Sequence, residues 1–332
     1  MPINSVRVRA SGTGANLGLF YDHAGAAYSS PVLDLELSLA AEAGVSLTDF
    51  SSQQPTPAGR VRGTAGKLAL EALLSTIDNA PIGVRLTYSE PEEDGFPTGG
   101  TGSSGAEAAA AVVAANALLE LGMSPTDLIL AAAKGEPGGH LDNVAPAVLG
   151  GIVFIDQNPD GSASFEKVTA PPELGLLLGI SSHQKVGGTE AARNALKDPL
   201  PEDVQAAQDE RALRAKQALS AGDVQLFLEL VNTDEFHEPR RADAGVYGNF
   251  SAADLRNLRS NLAEQFGVAL SISGAGPSMQ FWYAASDRER VVVNEVVHPE
   301  LQQFIDSWFG DHQMQMKLRP ITIANTGAHV LK

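Results

Sequence analysis

Residues 97–107 read PTGGTGSSGAE and lead into a run of Ala, Val, Leu and Asn with strong helix propensity. Gly99, Gly100 and Gly102 let the backbone take positive φ and approach a ligand closely. A glycine-rich turn that opens a helix presents successive N–H groups, backed by the helix dipole, to an anion such as phosphate. Ser103 and Ser104 add hydroxyl donors for phosphate or oxygen ligands for Mg2+. The stretch holds no lysine and does not fit the Walker A pattern. On these residues alone two readings stand level: an anion nest, or a turn whose serines cap the helix. Glu107 would repel a bound phosphate unless it faces away, and most acids so placed do.

A second chemical stretch is KGEPGGHLDNVAPAVLGG (134–151), which gathers Glu136, His140, Asp142 and Asn143 within a few residues. Its Gly and Pro content argues against regular structure there. Glu136 can bind a metal, Asp142 can act as a base toward a hydroxyl, and His140 can hydrogen-bond a substrate. Alternatively, Asp142 and Asn143 only satisfy turn backbone groups. One histidine beside one acid lacks the ligand set of a zinc site. A third stretch, SGTGANLGLFYDHAG (11–25), sets Asn16 and Asp22 on either side of Gly18; they can read a small polar substrate or form Asx turns. The glycine turn SGAGPS (273–278) is no more specific by itself.

The elements that must carry these residues follow from periodicity. Val6, Val8 and Ala10 alternate with Arg7 and Arg9, so a strand runs into the third stretch. Residues 32–48 alternate as further strand, 51–66 read as loop, Lys67 opens a helical run, and 84–90 return to strand. Ala106 to Leu121 is a helix closed by Gly122. Ser124, Pro125 and Asp127 start another, as N-cap, first-turn proline and capping-box acid. Residues 147–168 form a hairpin turning at 158–161. Beyond Pro171-Pro172, the best boundary, come a buried strand (ELGLLLGISS), amphipathic helices over 202–220 and 222–232, a helix capped by Ser251, and two strands flanking SGAGPS. Residues 287–310 mix strand and helix signals.

With 332 residues, the chain exceeds what one core usually supports, so two subdomains are expected. A net charge of −17 argues against nucleic acid or an anionic membrane as the main partner. The absence of cysteine excludes disulfides, thiolate catalysis and cysteine-ligated zinc. No secretory h-region and no run near the ~18 apolar residues of a membrane span are present, so a cytoplasmic location is expected.

Taken in order, these stretches resemble the GHMP kinase superfamily, and the homoserine kinases within it most closely. ASGTGANLGLFYD is similar to that family's PATSANLGPGFD-like motif at Thr13, Ala15, Asn16, Leu17, Gly18 and Asp22. PTGGTGSSGAE resembles its PxxxGLGSSAA phosphate loop, HLDNVAPAVLGG its EGHPDNVAPALLGG-like segment, and SGAGPS its late SGAGPT-like turn. TEAARNALKDPLPEDV and NTDEFHEPRRA resemble its TxxARxxLP and DxxHEPYR stretches.

The resemblance implies an α+β, two-subdomain fold: a ribosomal-S5-domain-2-like α/β domain over 1–172 and a ferredoxin-like α+β domain over 173–332. It implies ATP with Mg2+, a homodimer, and transfer of the γ-phosphoryl group to a primary hydroxyl by positioning and charge neutralisation. The loop of Pro97, Gly99, Gly100, Thr101, Gly102, Ser103, Ser104 and Gly105 would cradle the triphosphate with its N–H-bearing amides and the helix terminus, which removes the need for a P-loop lysine. Ser104 and Glu136 would hold the metal. Asn16, Asp22, His140 and Asp142 would face an amino-acid acceptor, with Asn143 beside its hydroxyl. Arg193 and Arg241 would clamp its carboxylate, with Arg240 as the alternative to Arg241. Lys67 stands near the expected adenine contact.

Departures from the family pattern are Leu19-Phe20-Tyr21 for Pro-Gly-Phe, Thr101 for Leu, Gly105 for Ala, and Glu107 for a small residue. The rebuilt 19–21 turn favours a kinase for another small hydroxylated acid. The altered loop favours a non-catalytic member. DNVAPA and both arginine stretches favour homoserine.

Overall fold

The computed structural model describes residues 4–48, 63–80, 83–91, 96–97, 99–136, 138–158, 160–183 and 188–332. Most of the loop expected over 51–66 lies outside them, as do Thr98, Pro137 and Pro159. The chain divides into two compact units. The first comprises Met1–Ala15, Asp22–Lys167 and Ile323–Lys332; the second comprises Asn16–Tyr21 and Val168–Thr322.

The first unit runs β1 (Ser5–Ala15), β2 (Ala24–Ala40), β3 (Gly44–Thr48), α1 (Thr64–Leu74), β4 (Gly83–Ser89), α2 (Ser103–Leu118), α3 (Pro125–Ala133), α4 (Leu141–Leu149), β5 (Ile152–Gln157) and β6 (Ala163–Val168). The strands join one sheet in the order β1-β2-β4-β3, and β5 pairs with both β2 and β6. The alternation of Val6, Val8 and Ala10 places them in register with Leu37, Leu35 and Leu33, all buried on the core face. Between Ser11 and Thr13 that register slips. α2 is buried on every side from Gly105 to Ala115, as a helix without a polar face must be. Its alanines let α1, α4 and β1 approach it closely.

Two expectations for this unit are corrected. α2 begins at Ser103 and stops at Leu118 instead of spanning 106–121. Glu120 adopts φ 51°, and the Asn116 side chain accepts from the Met123 amide at 2.9 Å, so the chain leaves the helix before Gly122. The Gly/Pro-rich segment at 134–151 is regular from Leu141 onward, where α4 forms despite Pro146. Pro146 cannot bond the Asp142 carbonyl four residues back, and that carbonyl instead faces Gly25, where a Cβ would lie 1.8 Å away.

The second unit runs β7 (Leu174–Ser181), α5 (Gly188–Asn194), α6 (Glu202–Ala221), α7 (Val224–Val231), α8 (His237–Asp243), α9 (Ala252–Phe266), β8 (Val268–Ile272) and β9 (Met279–Ala284). A short α10 (Arg288–Val291), the ribbon β10 (Val292–Val293) and β11 (Val296–Val297), α11 (Pro299–Asp311) and β12 (Met316–Ile321) complete it, which resolves the mixed signals at 287–310. Its sheet is antiparallel in the order β12-β7-β9-β8. Leu255, Leu258, Leu262 and Phe266 of α9, with Leu301, Ile305 and Phe309 of α11, share a core with Leu270 and Phe281 of the sheet. The capping boxes expected at Ser124 and Ser251 are both present, closed by Asp127 and Asp254. The terminal strand β13 (His329–Val330) pairs with β1 in the first unit. Among the described residues, no helix is long and apolar enough to cross a membrane.

Candidate active site

In the first unit the glycine loop opens α2 as a helix whose N-terminus no side chain caps. Gly99, Gly100 and Gly102 take φ of 92°, 99° and 66°, and Gly102 is itself the N-cap residue. Ser103 and Ser104 are the first two helical residues, so they do not cap, and the capping alternative is removed. What remains is a row of helix-start amides preceded by positive-φ glycines, which suits an anion. Thr101, the residue in place of the family's leucine, is buried; its hydroxyl donates to the Pro97 carbonyl and its own carbonyl accepts from the Thr13 amide at 2.9 Å. Gly105 packs on Asn143, where a Cβ would lie 3.1 Å from the Asn143 Cβ. Glu107 is also buried, at the fifth position of α2. After burial itself, its charge is what holds the Tyr88 hydroxyl well above the ordinary phenol range, so Glu107 acts on Tyr88 of β4.

A Cβ at Gly102 would sit 1.9 Å from Thr13 Oγ1, and positive φ strains any L side chain there. Gly102→Ala is therefore expected to displace the loop and raise the nucleotide KM at least ~10-fold. Titration with a fluorescent ATP analogue checks this, with Gly122→Ala as the control, since nothing stands within 4 Å of a Cβ at Gly122.

The start of α4 collects the acids. Asp142 is buried, and burial first, then the charges of Asp22 and Glu136, push its carboxyl up to about 7. His140 Nδ1 stands 3.8 Å from Asp22 Oδ1. One ligand atom each of Asp22, His140 and Asp142 lies within 4.8 Å of the others. The second acid beside His140 thus comes from outside the 134–151 stretch. Such a cluster favours a cation, and the burial of Asp142 makes an unneutralised charge there costly. Beside it, Asn143 Oδ1 accepts from the Thr13 hydroxyl at 2.9 Å. Thr13 matched a motif but carried no role by sequence; its partner lies far along the chain.

In the second unit, Asn16 and Arg241 converge on one acceptor. Asn16 Nδ2 donates to the Gly274 carbonyl at 2.8 Å, and Arg241 Nη1 donates to the same oxygen at 3.2 Å. The SGAGPS turn therefore holds two of the expected site residues, which its own residue types do not reveal. Arg241 is buried, and its Nε donates to the Ala192 carbonyl at 3.0 Å. Arg193 follows Ala192 on α5 and is exposed. Arg240 instead donates to the Asp198 carbonyl at 2.8 Å. The Arg241 guanidinium lies over the Tyr21 ring, 4.9 Å from its centroid, and Tyr21 stacks on His237 at 4.5 Å and 10°. The rebuilt 19–21 turn thus supplies an aromatic face to the arginine. Beneath α8, the buried pair Glu238 and Arg259 ties that helix to α9.

Comparison with known proteins places these features in context. The family described as GHMP kinases N terminal domain matches residues 67–151. Homoserine kinase from Methanocella arvoryzae is 32% identical over 287 residues, covering 83% of this chain and 84% of that protein. The crystal structure of homoserine kinase from Cytophaga hutchinsonii superposes with a TM-score of 0.78 at 23% identity, covering 100% of this chain and 98% of the other. Mevalonate-3-kinase from Thermoplasma acidophilum, with mevalonate 3-phosphate and ADP bound, has the same fold, with a TM-score of 0.68 at 16% identity over 99% of each chain.

Proposed function

The chain belongs to the homoserine kinases of the GHMP superfamily, and from that premise we propose that it moves the γ-phosphoryl group of ATP to the hydroxyl of L-homoserine. The glycine loop and the start of α2 bind the triphosphate through backbone amides. Ser104 and Glu136 offer oxygen ligands suited to Mg2+, which when bound neutralises charge on the phosphate oxygens. Asn143 orients the acceptor hydroxyl and Asp142 takes its proton. Asn16 and Asp22 bind the acceptor's polar groups, while Arg193 and Arg241 clamp its carboxylate.

The observation that carries the acceptor assignment is the crowding of Asp22 and His140 around Asp142, whose carboxyl also feels the charge of Glu136. An α-ammonium group neutralises that cluster; a hydroxy acid without an amine, such as mevalonate, does not. ATP consumption across homoserine, threonine, serine and mevalonate tests the assignment, with turnover expected on homoserine. Activity confined to mevalonate would overturn it, and a folded protein that consumes no ATP with any acceptor would mark a binding module.

A further inference from the structure

We propose that Thr13 is a positioning residue that locks the phosphate loop and Asn143 into one rigid arrangement and so sets the rate of transfer. The inference rests on the reading of the loop and Asn143 given above. Thr13 is fully buried and sits where the β1–β2 register slips, a break of the kind that re-aims a side chain out of the ladder. Its amide donates to the Thr101 carbonyl at 2.9 Å, which fixes the loop from below. Its hydroxyl donates to Asn143 Oδ1, also at 2.9 Å. With Oδ1 occupied as acceptor, the Asn143 amide group keeps its NH2 end for an oxygen of the acceptor or of the transferring group.

Gly102 closes the arrangement. A Cβ there would lie 1.9 Å from Thr13 Oγ1 and 2.8 Å from both the Thr13 nitrogen and carbonyl oxygen. The last residue before α2 therefore rests directly on Thr13, and Gly105, one turn later, rests on Asn143. Loop, threonine and asparagine form a closed set of contacts within one unit. Any shift of the Asn143 amide is transmitted to the loop, and the reverse. Threonine suits this position because its β-branched side chain has restricted χ1 freedom.

Thr13→Val keeps the shape and removes the hydroxyl. It is expected to lower kcat by about 10- to 100-fold, while the KM values for ATP and acceptor stay within about 3-fold. Thr13→Ser restores the hydroxyl and should recover most of kcat. In a Thr13→Val, Asn143→Ala double variant the losses should not add, because the two groups act as a unit. Unchanged kcat in Thr13→Val, or a serine variant as impaired as the valine one, overturns the proposal. A readout independent of any acceptor is the Asn143 side-chain amide NMR signal of the wild type and of the correctly folded Thr13→Val protein. It is expected to move on loss of the hydroxyl. If it does not move, the coupling is absent whatever the acceptor proves to be; absent turnover of homoserine by the wild type defeats only the acceptor assignment.

Discussion

Asp142→Asn is expected to yield a protein that is more stable at pH 8 and nearly inactive. The carboxyl is buried, and its Oδ1 has no hydrogen-bond partner among the described residues. Burial, Asp22 and Glu136 together raise its pKa from an ordinary 3.8 to about 7. Below pH 3.8 the folded and unfolded chains both hold the proton, and the group costs nothing. Between pH 3.8 and about 7 the unfolded chain has released it and the folded chain has not, so stability falls as pH rises. Above pH 7 the loss is complete, at roughly 4 kcal/mol for a shift of this size. Asparagine carries no charge and escapes that loss. The difference in melting temperature between variant and wild type should grow from pH 4 to 7 and then level off. A pH-independent difference would show that Asp142 is not held as an unneutralised acid.

On the proposed role of Asp142, the same substitution removes the proton acceptor of the transfer step and one charge of the acidic cluster, so kcat is expected to fall about 10²- to 10⁴-fold. Stability and activity thus move in opposite directions at one residue, as expected of a site that stores electrostatic cost for use in binding. An acceptor with an ammonium group relieves that cost. Homoserine should therefore stabilise the wild type more strongly at pH 8 than at pH 5, and thermal shift with and without it reads this directly.

Arg241→Ala is expected to raise the acceptor KM about 100-fold while leaving the KM for ATP within about 3-fold. The guanidinium is planar, buried and already oriented by the Ala192 and Gly274 carbonyls and by the face of Tyr21. That arrangement limits the rotamer freedom lost when a carboxylate binds. Arg241→Lys keeps the charge but cannot reproduce the planar fork, so it should recover little of the acceptor affinity. The alanine variant should also melt lower, because the two carbonyls lose a buried donor. Equal increases in both KM values would remove Arg241 from the acceptor's carboxylate and leave it a structural residue of the second unit.

Features written over short sequence distances were legible. Ser124 with Asp127 and Ser251 with Asp254 are three residues apart, and a capping box needs nothing further. The alternation over Val6 to Ala10 sufficed for β1, because one face of that strand is buried. α4 was not legible. Its glycines and Pro137 lie before and after the helix, not within it, and Pro146 is tolerated where the freed carbonyl meets Gly25. β12 was missed for a related reason: Pro320 weakens its strand signal, but β12 is an edge strand and can accommodate it. At the site, motif resemblance nominated residues without showing their partners. The link from Thr13 to Asn143, the shared Gly274 carbonyl and the stack of Tyr21 on His237 all join residues more than a hundred positions apart. Neither periodicity nor composition encodes such pairs.

The assignment of Asn16–Tyr21 to the second unit has an architectural consequence. The chain passes between the units at 15/16, 21/22, 167/168 and 322/323, so no single cut detaches either one. A fragment spanning 168–322 would lack the strap in which Gly18 presses on the Val231 carbonyl and Leu19 accepts from Gln208. Its ends would also be torn from β6 on one side and from the Tyr28–Ile323 bridge on the other. Such a chain cannot evolve by shuffling its halves at one recombination point. Exchanging either unit whole would take crossovers at all four of these points.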